Sequence, residues 1–227
     1  KATEPMLPMI AIPTTAGTGS ETQSFALISD AKTHTKMACG DKKAICKLAI
    51  LDPELTLTQP PQVTALTGID ALAHALETYV TTKRTELSMD YSRRAWELLS
   101  VNFIKVIDNP NDLEARSAMQ LGACLAGLAI ENSMLGAAHA LANPLTAHFN
   151  VVHGQAVASM LPHVIRFNAQ SMESQYCQLA SATNAVSGDD SEALATFIAE
   201  ITQRSGLATR LEPQGVNAGQ LTMLAAD

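Results

Sequence analysis

The sequence predicts a partial α/β segment followed by an all-helical domain. Residues 1–57 contain short β-leaning runs separated by Gly, Asp and Lys turn signals. From about Val63 onward, the apolar residues recur with a helical period. The chain has 227 residues, 47% hydrophobic and only 4% aromatic, so its core must consist mainly of small and aliphatic side chains, which suit closely packed helices. We therefore divide the chain into residues 1–57 and residues 58–227.

The strands expected in the first part are short. The first of them begins almost at the start of the chain, and a strand placed so early usually has a sheet to join. We therefore expect the chain to be a piece of a longer protein. Asp52 and Pro53 end this region. The expected strands are Met9–Ile12, Phe25–Ile28, Thr35–Ala38 and Leu48–Leu51.

Eight helices are expected in the second part. Turn signals such as Asn109-Pro110 separate them, and Ser191 is a plausible N-cap after a polar turn. The expected helices lie near 63–82, 88–107, 112–130, 132–147, 155–167, 172–185, 190–205 and 217–226.

Composition excludes several classes of partner. A formal net charge of −7 argues against a nucleic-acid groove and against an anionic membrane surface. No apolar run reaches the roughly 20 residues that a membrane span needs, and the first residues do not form a signal peptide. The 4 cysteines are widely spaced without a CxxC pair. Reduced thiols in the cytoplasm are therefore the expectation.

A loop of small residues, Pro13-Thr-Thr-Ala-Gly-Thr-Gly-Ser-Glu21, lies between the first two strands. Its glycines free the backbone and its hydroxyl side chains offer hydrogen bonds, as a phosphate-binding loop requires. It matches neither GxxxxGK[ST] nor GxGxxG. An ordinary tight loop between strands is an equally good interpretation.

Asp70 and His74 lie four residues apart in a predicted helix, so their side chains leave the same face. One interpretation is an amphipathic surface helix, in which these residues belong to a polar stripe with Glu77. The other is half of a metal site. On this segment alone, the surface helix is the simpler reading.

Two further histidines favour the metal site. His139 lies in a segment that is small and apolar on nearly every face, and a buried imidazole needs a partner. His153 follows fourteen residues later, just before another apolar helix. A helix end and a loop can bring the two together, and Asp70 and His74 can join them. Three imidazoles and one carboxylate suit Fe²⁺ or Zn²⁺ better than Ca²⁺ or Mg²⁺.

Four motifs, taken together, resemble the iron-containing (group III) alcohol dehydrogenases, which are related to glycerol dehydrogenase and dehydroquinate synthase. The agreement in order and spacing covers about residues 8–168. The resemblance implies a dehydroquinate synthase-like fold, with the end of a nucleotide-binding α/β domain joined to a helical metal-binding domain. The motifs are Pro13–Glu21, Leu51–Thr56, Thr67–Glu77, and Gly136–Leu145 followed by Val152–Gly154.

The resemblance also implies a reaction and a set of site residues. The reaction is hydride transfer between an alcohol and NAD or NADP, which yields an aldehyde or ketone. Family habit favours Fe²⁺, with Zn²⁺ as the alternative, and a homodimer is compatible with the family. The implied metal ligands are Asp70, His74, His139 and His153, and the implied coenzyme contacts are Thr14, Thr15, Thr18 and Lys36.

This sequence departs from the family pattern in three places. Family members typically have a whole dinucleotide-binding half before this segment, and that half is absent here. Asn143 occupies a position where members often carry a histidine that assists proton movement, and His148 lies five residues further on. Gln23 stands where Thr is common. With the front half missing, we expect this chain alone to be inactive.

Two other functions remain open from the residues. A metal-dependent hydrolase could use the same four ligands, and added nicotinamide coenzyme would separate the two classes. The chain could also be a helical metal-binding fragment without catalysis.

Overall fold

The computed structural model describes residues 3–30 and 36–226, and for Leu27, Ser29 and Lys36 it describes only the main chain. Seven α-helices make up most of this part of the chain. They follow a small β-region, as the sequence predicts. They are α1 (Pro61–Val80), α2 (Glu86–Asp108), α3 (Leu113–Glu131), α4 (Ala137–Phe149), α5 (His153–Ser181), α6 (Ser191–Arg204) and α7 (Leu221–Leu224).

The β-region consists of two separate strand pairs. Strand β1 (Ile10–Ala11) pairs in parallel with β4 (Leu48–Ala49). Strand β2 (Phe25–Ser29) pairs antiparallel with β3 (Lys36–Gly40), with Phe25 opposite Gly40. All four expected strands therefore occur, although the first and last are shorter than predicted. Thr35, the expected start of the third strand, lies outside the described residues.

Four of the predicted helices differ from the structure. The segments expected at 155–167 and 172–185 form the single helix α5, which is kinked at Met172 (φ −124°, ψ 19°), because no Gly or Pro interrupts the sequence between them. Helix α4 begins at Ala137 rather than near residue 132. The helix expected near 217–226 is reduced to a 3₁₀ turn at Ala218–Gln220 followed by the four-residue α7.

Helix α1 lies in the centre of the helical domain and is buried around its whole circumference. Every residue from Gly68 to Val80 is buried, and Leu72 is 0% exposed. Asp70 and His74, which a surface helix would expose, are only 6% and 5% exposed. The interpretation of this segment as an amphipathic surface helix is therefore wrong. Its alanines at positions 71, 73 and 75 let neighbouring helices approach closely.

Trp96 joins three helices in the core. It is fully buried in α2, and its indole N–H donates to the carbonyl of Leu179 in α5 at 2.8 Å. Its ring meets Phe197 of α6 edge to face, with 5.9 Å between ring centroids. The contact satisfies the only polar group of the indole within an apolar environment.

Helix α3 holds the loop that follows β1. The Gln120 side-chain amide donates to the carbonyl of Pro13 at 3.0 Å, and Glu131 accepts from the backbone N–H of Ser24 at 2.8 Å. Between these anchors the backbones of Gly19 and Gly127 touch, because neither residue carries a Cβ. Gly19 also adopts a left-handed conformation (φ 59°), which favours glycine. The loop is thus attached to the helical domain at three points.

No helix in residues 3–30 and 36–226 has both the length and the apolar character that crossing a membrane requires.

We predict that Gly127→Ala destabilises the protein by about 1–3 kcal/mol, because the new Cβ would overlap the Gly19 carbonyl oxygen and the Thr22 hydroxyl. The sign is diagnostic, since Gly→Ala within a helix ordinarily stabilises by up to ~1 kcal/mol. Urea denaturation monitored by circular dichroism measures the change. Ser117→Ala, at an exposed position of the same helix, is the control and should change stability by less than ~0.5 kcal/mol. A stabilised Gly127→Ala protein would contradict the close contact.

Candidate metal centre

One face of α1 carries three polar side chains into the protein interior. Asp70, His74 and Glu77 follow one another at intervals of four and three residues, so they lie along a single stripe of the helix. Glu77 is only 3% exposed. A buried stripe of this kind requires polar partners from neighbouring elements.

Helices α4 and α5 supply those partners from their first turns. His139 Nε2 lies 3.3 Å from Asp70 Oδ1, and His153 Nε2 lies 3.7 Å from the same oxygen. The donor atoms of Asp70, His139 and His153 all lie within 4.8 Å of one another. His153 is the most accessible of the three, with its side chain 34% exposed, so the cluster opens toward solvent on that side.

His74 reaches the cluster from within α1. Its Nε2 lies 3.6 Å from Asp70 Oδ1, and its ring stacks on that of His139 with centroids 4.8 Å apart. It stands outside the set of three donor atoms that are mutually within 4.8 Å. The structure therefore brings all four sequence-predicted ligands together around one carboxylate oxygen, with three of them in the tighter group.

Two of these donor atoms lack hydrogen-bond partners among the described residues. Asp70 Oδ1 and His139 Nε2 are both buried and make no hydrogen bond, although they lie 3.3 Å apart. An unsatisfied buried polar atom costs about 1–3 kcal/mol, so such atoms are rarely left without a function. Here two such atoms face each other beside two more imidazoles. A divalent cation bound among them would satisfy both atoms. Nitrogen donors with one anionic oxygen fit Fe²⁺ or Zn²⁺.

The electrostatics of the cluster are dominated by its carboxylates. Burial by itself would raise the pKa of Asp70, but the surrounding histidines outweigh burial and hold the pKa of Asp70 well below its ordinary value. Burial by itself would lower the pKa of His139, but the carboxylates of Asp70 and Glu77 raise it to about 9. For His74, burial prevails over the attraction of Asp70 and lowers the pKa. The cluster thus keeps Asp70 anionic.

Glu77 is the site residue that the sequence does not identify, because its position marks it only as a neighbour on the polar stripe. Its Oε2 lies 2.5 Å from His139 Nδ1, and its Oε1 accepts the backbone N–H of Ala138 at 2.6 Å. Burial would raise the pKa of Glu77, but the contacts with His139 and with the backbone of Ala138 and Gly136 lower it. The spacing Asp-x₃-His-x₂-Glu could have indicated the residue, since it places all three on one helix face.

The Pro13–Glu21 loop lies next to the cluster. The backbone of Gly17 lies close to the His74 imidazole and partly offsets the lowering of the His74 pKa by burial. Thr14 and Thr18 are exposed and Thr15 is half-buried. Gln23 closes the loop by donating its side-chain amide to the carbonyl of Thr18 at 2.7 Å.

The remaining candidates are placed less closely. Lys36 is the first residue of β3, and its side chain lies outside the described part of the chain. Asn143 is one turn beyond His139 on the same face of α4 and is exposed. His148 is nine positions from His139, which is half a turn out of phase on an ideal helix. His148 is therefore poorly placed to act in place of a histidine at position 143.

Family models match almost the whole chain. Residues 64–227 match the model described as "Fe-containing alcohol dehydrogenase family, C-terminal", and residues 1–53 match "Iron-containing alcohol dehydrogenase".

Curated relatives agree with these matches. The chain is 39% identical over 207 residues to "Probable alcohol dehydrogenase EutG" of Salmonella typhimurium, which covers 90% of this chain and 52% of that protein. It is 34% identical over 211 residues to "NADPH-dependent butanol dehydrogenase" of Clostridium saccharobutylicum, covering 92% of this chain and 54% of the relative. It is 37% identical over 177 residues to "NAD-dependent methanol dehydrogenase" of Bacillus methanolicus, covering 78% of this chain and 46% of the relative. The chain thus spans about half the length of the curated relatives it matches.

Solved structures share the fold. A 1,3-propanediol oxidoreductase superposes with a TM-score of 0.92 at 28% identity, over 99% of this chain and 60% of that one. A sulfoacetaldehyde reductase from Bifidobacterium kashiwanohense, determined in complex with NAD⁺, gives a TM-score of 0.89 at 30% identity, over 97% of this chain and 58% of that one. The expected fold class is confirmed. By its family matches, its relatives and its fold, this chain belongs to the iron-containing alcohol dehydrogenase family.

Proposed function

We propose that this chain is the metal-binding part of a dehydrogenase that transfers a hydride between a small alcohol or aldehyde and NAD or NADP. The observation that carries the proposal is the convergence of the Asp70, His139 and His153 donor atoms within 4.8 Å, two of them buried and without a hydrogen bond among the described residues. Membership of the iron-containing alcohol dehydrogenase family supports it.

Asp70, His74, His139 and His153 would hold the divalent ion. Fe²⁺ is favoured by the name of the family and Zn²⁺ is the alternative. When bound, such an ion supplies Lewis-acid chemistry, which polarises the oxygen of an alcohol or aldehyde. The half-exposed side of the cluster at His153 provides the approach for the substrate.

The protein residues provide charge, orientation and shielding. Asp70 supplies the single anionic donor, and its surroundings keep it ionised. The helices packed around α1 leave Asp70, His74 and His139 no more than 6% exposed, which limits the access of water to the cluster, whereas the His153 side chain is 34% exposed. The Pro13–Glu21 loop, fastened to α3 beside His74, would hold the coenzyme through the hydroxyls of Thr14, Thr15 and Thr18.

The finer assignments separate coenzyme binding from metal binding in the same way. We assign residues 1–57 to coenzyme binding and residues 58–227 to metal binding. Lys36 is the proposed cation at the ribose or a phosphate of the coenzyme. Relatives whose names specify NAD and others whose names specify NADPH both match the chain, so the coenzyme is proposed only as NAD or NADP. A cytoplasmic location, a homodimer and the absence of nucleic-acid partners stay predictions.

We predict one tightly held divalent ion per chain, with its content lowered at least about tenfold by His139→Ala or Asp70→Asn, since each removes a ligand. Metal content is measured by plasma mass spectrometry on protein purified without chelator, and affinity by titration of the metal-free protein with Fe²⁺ or Zn²⁺. His163→Ala is the matched control, because His163 is an exposed histidine of α5. Equal metal content in the wild type and in His139→Ala would remove His139 from the site.

We also predict that the 227-residue chain by itself catalyses no measurable alcohol oxidation, although it binds metal. Hydride transfer requires both reactants to be fixed in contact, and this chain spans about half of its relatives. The assay follows NAD(P)H formation from ethanol, 1-butanol and 1,2-propanediol on metal-loaded protein. Supplying the N-terminal half of a relative as a separate chain should restore activity. Robust turnover by the 227 residues alone would contradict the proposed coenzyme site.

The same assay addresses the hydrolase alternative. A metal-dependent hydrolase is indifferent to nicotinamide coenzymes, whereas the proposed dehydrogenase consumes them in proportion to product. Ester or amide cleavage that is independent of added coenzyme would favour the hydrolase.

A further inference from the structure

We propose that Glu77 is a positioning residue of the metal centre, which fixes the tautomer and orientation of His139 so that Nε2 is the nitrogen available to the metal. The proposal rests on the proposed function of the Asp70–His139–His153 cluster as a metal site.

In the form that binds metal, the geometry leaves His139 one arrangement. Glu77 Oε2 lies 2.5 Å from His139 Nδ1, on the side of the ring opposite the cluster. An ionised carboxylate only accepts hydrogen bonds, so Nδ1 must carry a proton. In the neutral imidazole that metal binding requires, Nε2 is then unprotonated. Nε2 is the atom that faces Asp70 Oδ1 at 3.3 Å and has no hydrogen-bond partner in the described part of the chain.

The second oxygen of Glu77 fixes the helix that carries His139. Helix α4 begins after Gly136, whose missing side chain provides no cap. Glu77 Oε1 takes that role from across the interface by accepting the N–H of Ala138 at 2.6 Å. An anion is also favourable at a helix N-terminus. His139 is the third residue of this helix, so the carboxylate that orients the ring also anchors the backbone beneath it.

Gly136 keeps the space that this contact requires. A Cβ at position 136 would lie 2.9 Å from Glu77 Oε1. The carboxylate could then reach Ala138 and His139 together only after a shift of α4. The local sequence is therefore adapted to Glu77 as well as to the histidine.

A glutamine cannot replace Glu77, although it has nearly the same shape. Both carboxylate oxygens accept hydrogen bonds, one from Ala138 and one from His139. A side-chain amide offers one acceptor and one donor. In one orientation, the amide N–H would face the backbone N–H of Ala138. In the other, it would face Nδ1 of His139 and force the tautomer whose Nε2 is protonated. The charge and the two acceptors are both required.

The first test uses the unmodified 227-residue chain loaded with Zn²⁺. Nitrogen NMR of its histidine rings should show His139 with a proton on Nδ1 and a metal-type signal from Nε2, assigned by comparison with His139→Ala. A His139 ring protonated at Nε2 in the zinc-bound protein would overturn the proposal. This measurement does not depend on the folding of a Glu77 variant.

The second test compares Zn²⁺ affinity in Glu77→Gln and Glu173→Gln. We expect about a 10- to 100-fold loss for Glu77→Gln, the usual effect of removing a carboxylate that supports a metal-bound histidine. Glu173→Gln is the matched control. It removes the same charge from a carboxylate that binds a backbone N–H, that of Ser191, and it should leave affinity within about twofold. Equal affinities for the wild type and Glu77→Gln would overturn the proposal.

A double substitution separates positioning from general support of the fold. If Glu77 acts through His139, Glu77→Gln should change Zn²⁺ affinity by less than about twofold in a His139→Ala background. A loss of the same size in both backgrounds would show a merely structural role. Absence of Zn²⁺ binding by the wild-type chain would instead refute the proposed metal site, so the two failures are distinguishable.

Discussion

Burial of the Asp70 carboxylate is the interaction on which the rest of this structure depends. One of its oxygens lies 3.3 to 3.7 Å from nitrogens of three different imidazoles, and the residue is only 6% exposed. An isolated anion cannot remain in such a place, so the surrounding helices must deliver positive charge to it. Helix α1 lies at the centre of the domain, and the first turns of α4 and α5 bring His139 and His153 to it.

The same packing connects the metal centre to the loop after β1. Helix α3 lies against α1 and also holds the loop through Gln120, the Gly19–Gly127 contact and Glu131. The loop backbone at Gly17 in turn reaches His74. In the proposed function, the packing of α3 against α1 would fix the distance between the coenzyme and the substrate, which hydride transfer requires.

Glu77 shows why sequence patterns identify ligands more easily than their supports. Asp70 and His74 are recognisable because carboxylates and imidazoles at helical spacing are typical metal donors. Glu77 contacts His139, which is 62 positions away in sequence, and its second contact is to a backbone N–H. The spacing places Glu77 on the same helix face as Asp70 and His74, but only the packing of α1 against α4 shows which groups its carboxylate contacts.

The sequence by itself determined the fold class, the order of the strands and most helices, and the four residues that meet in the cluster. These follow from local periodicity and from motifs whose spacing reflects helix geometry. Tertiary structure decided the rest. It joined two expected helices into α5 and buried α1 on every side. It also placed His139 in contact with Glu77 as well as with the metal-site residues. Burial and long-range pairing depend on which helices meet, and that is a property of the whole chain rather than of any segment.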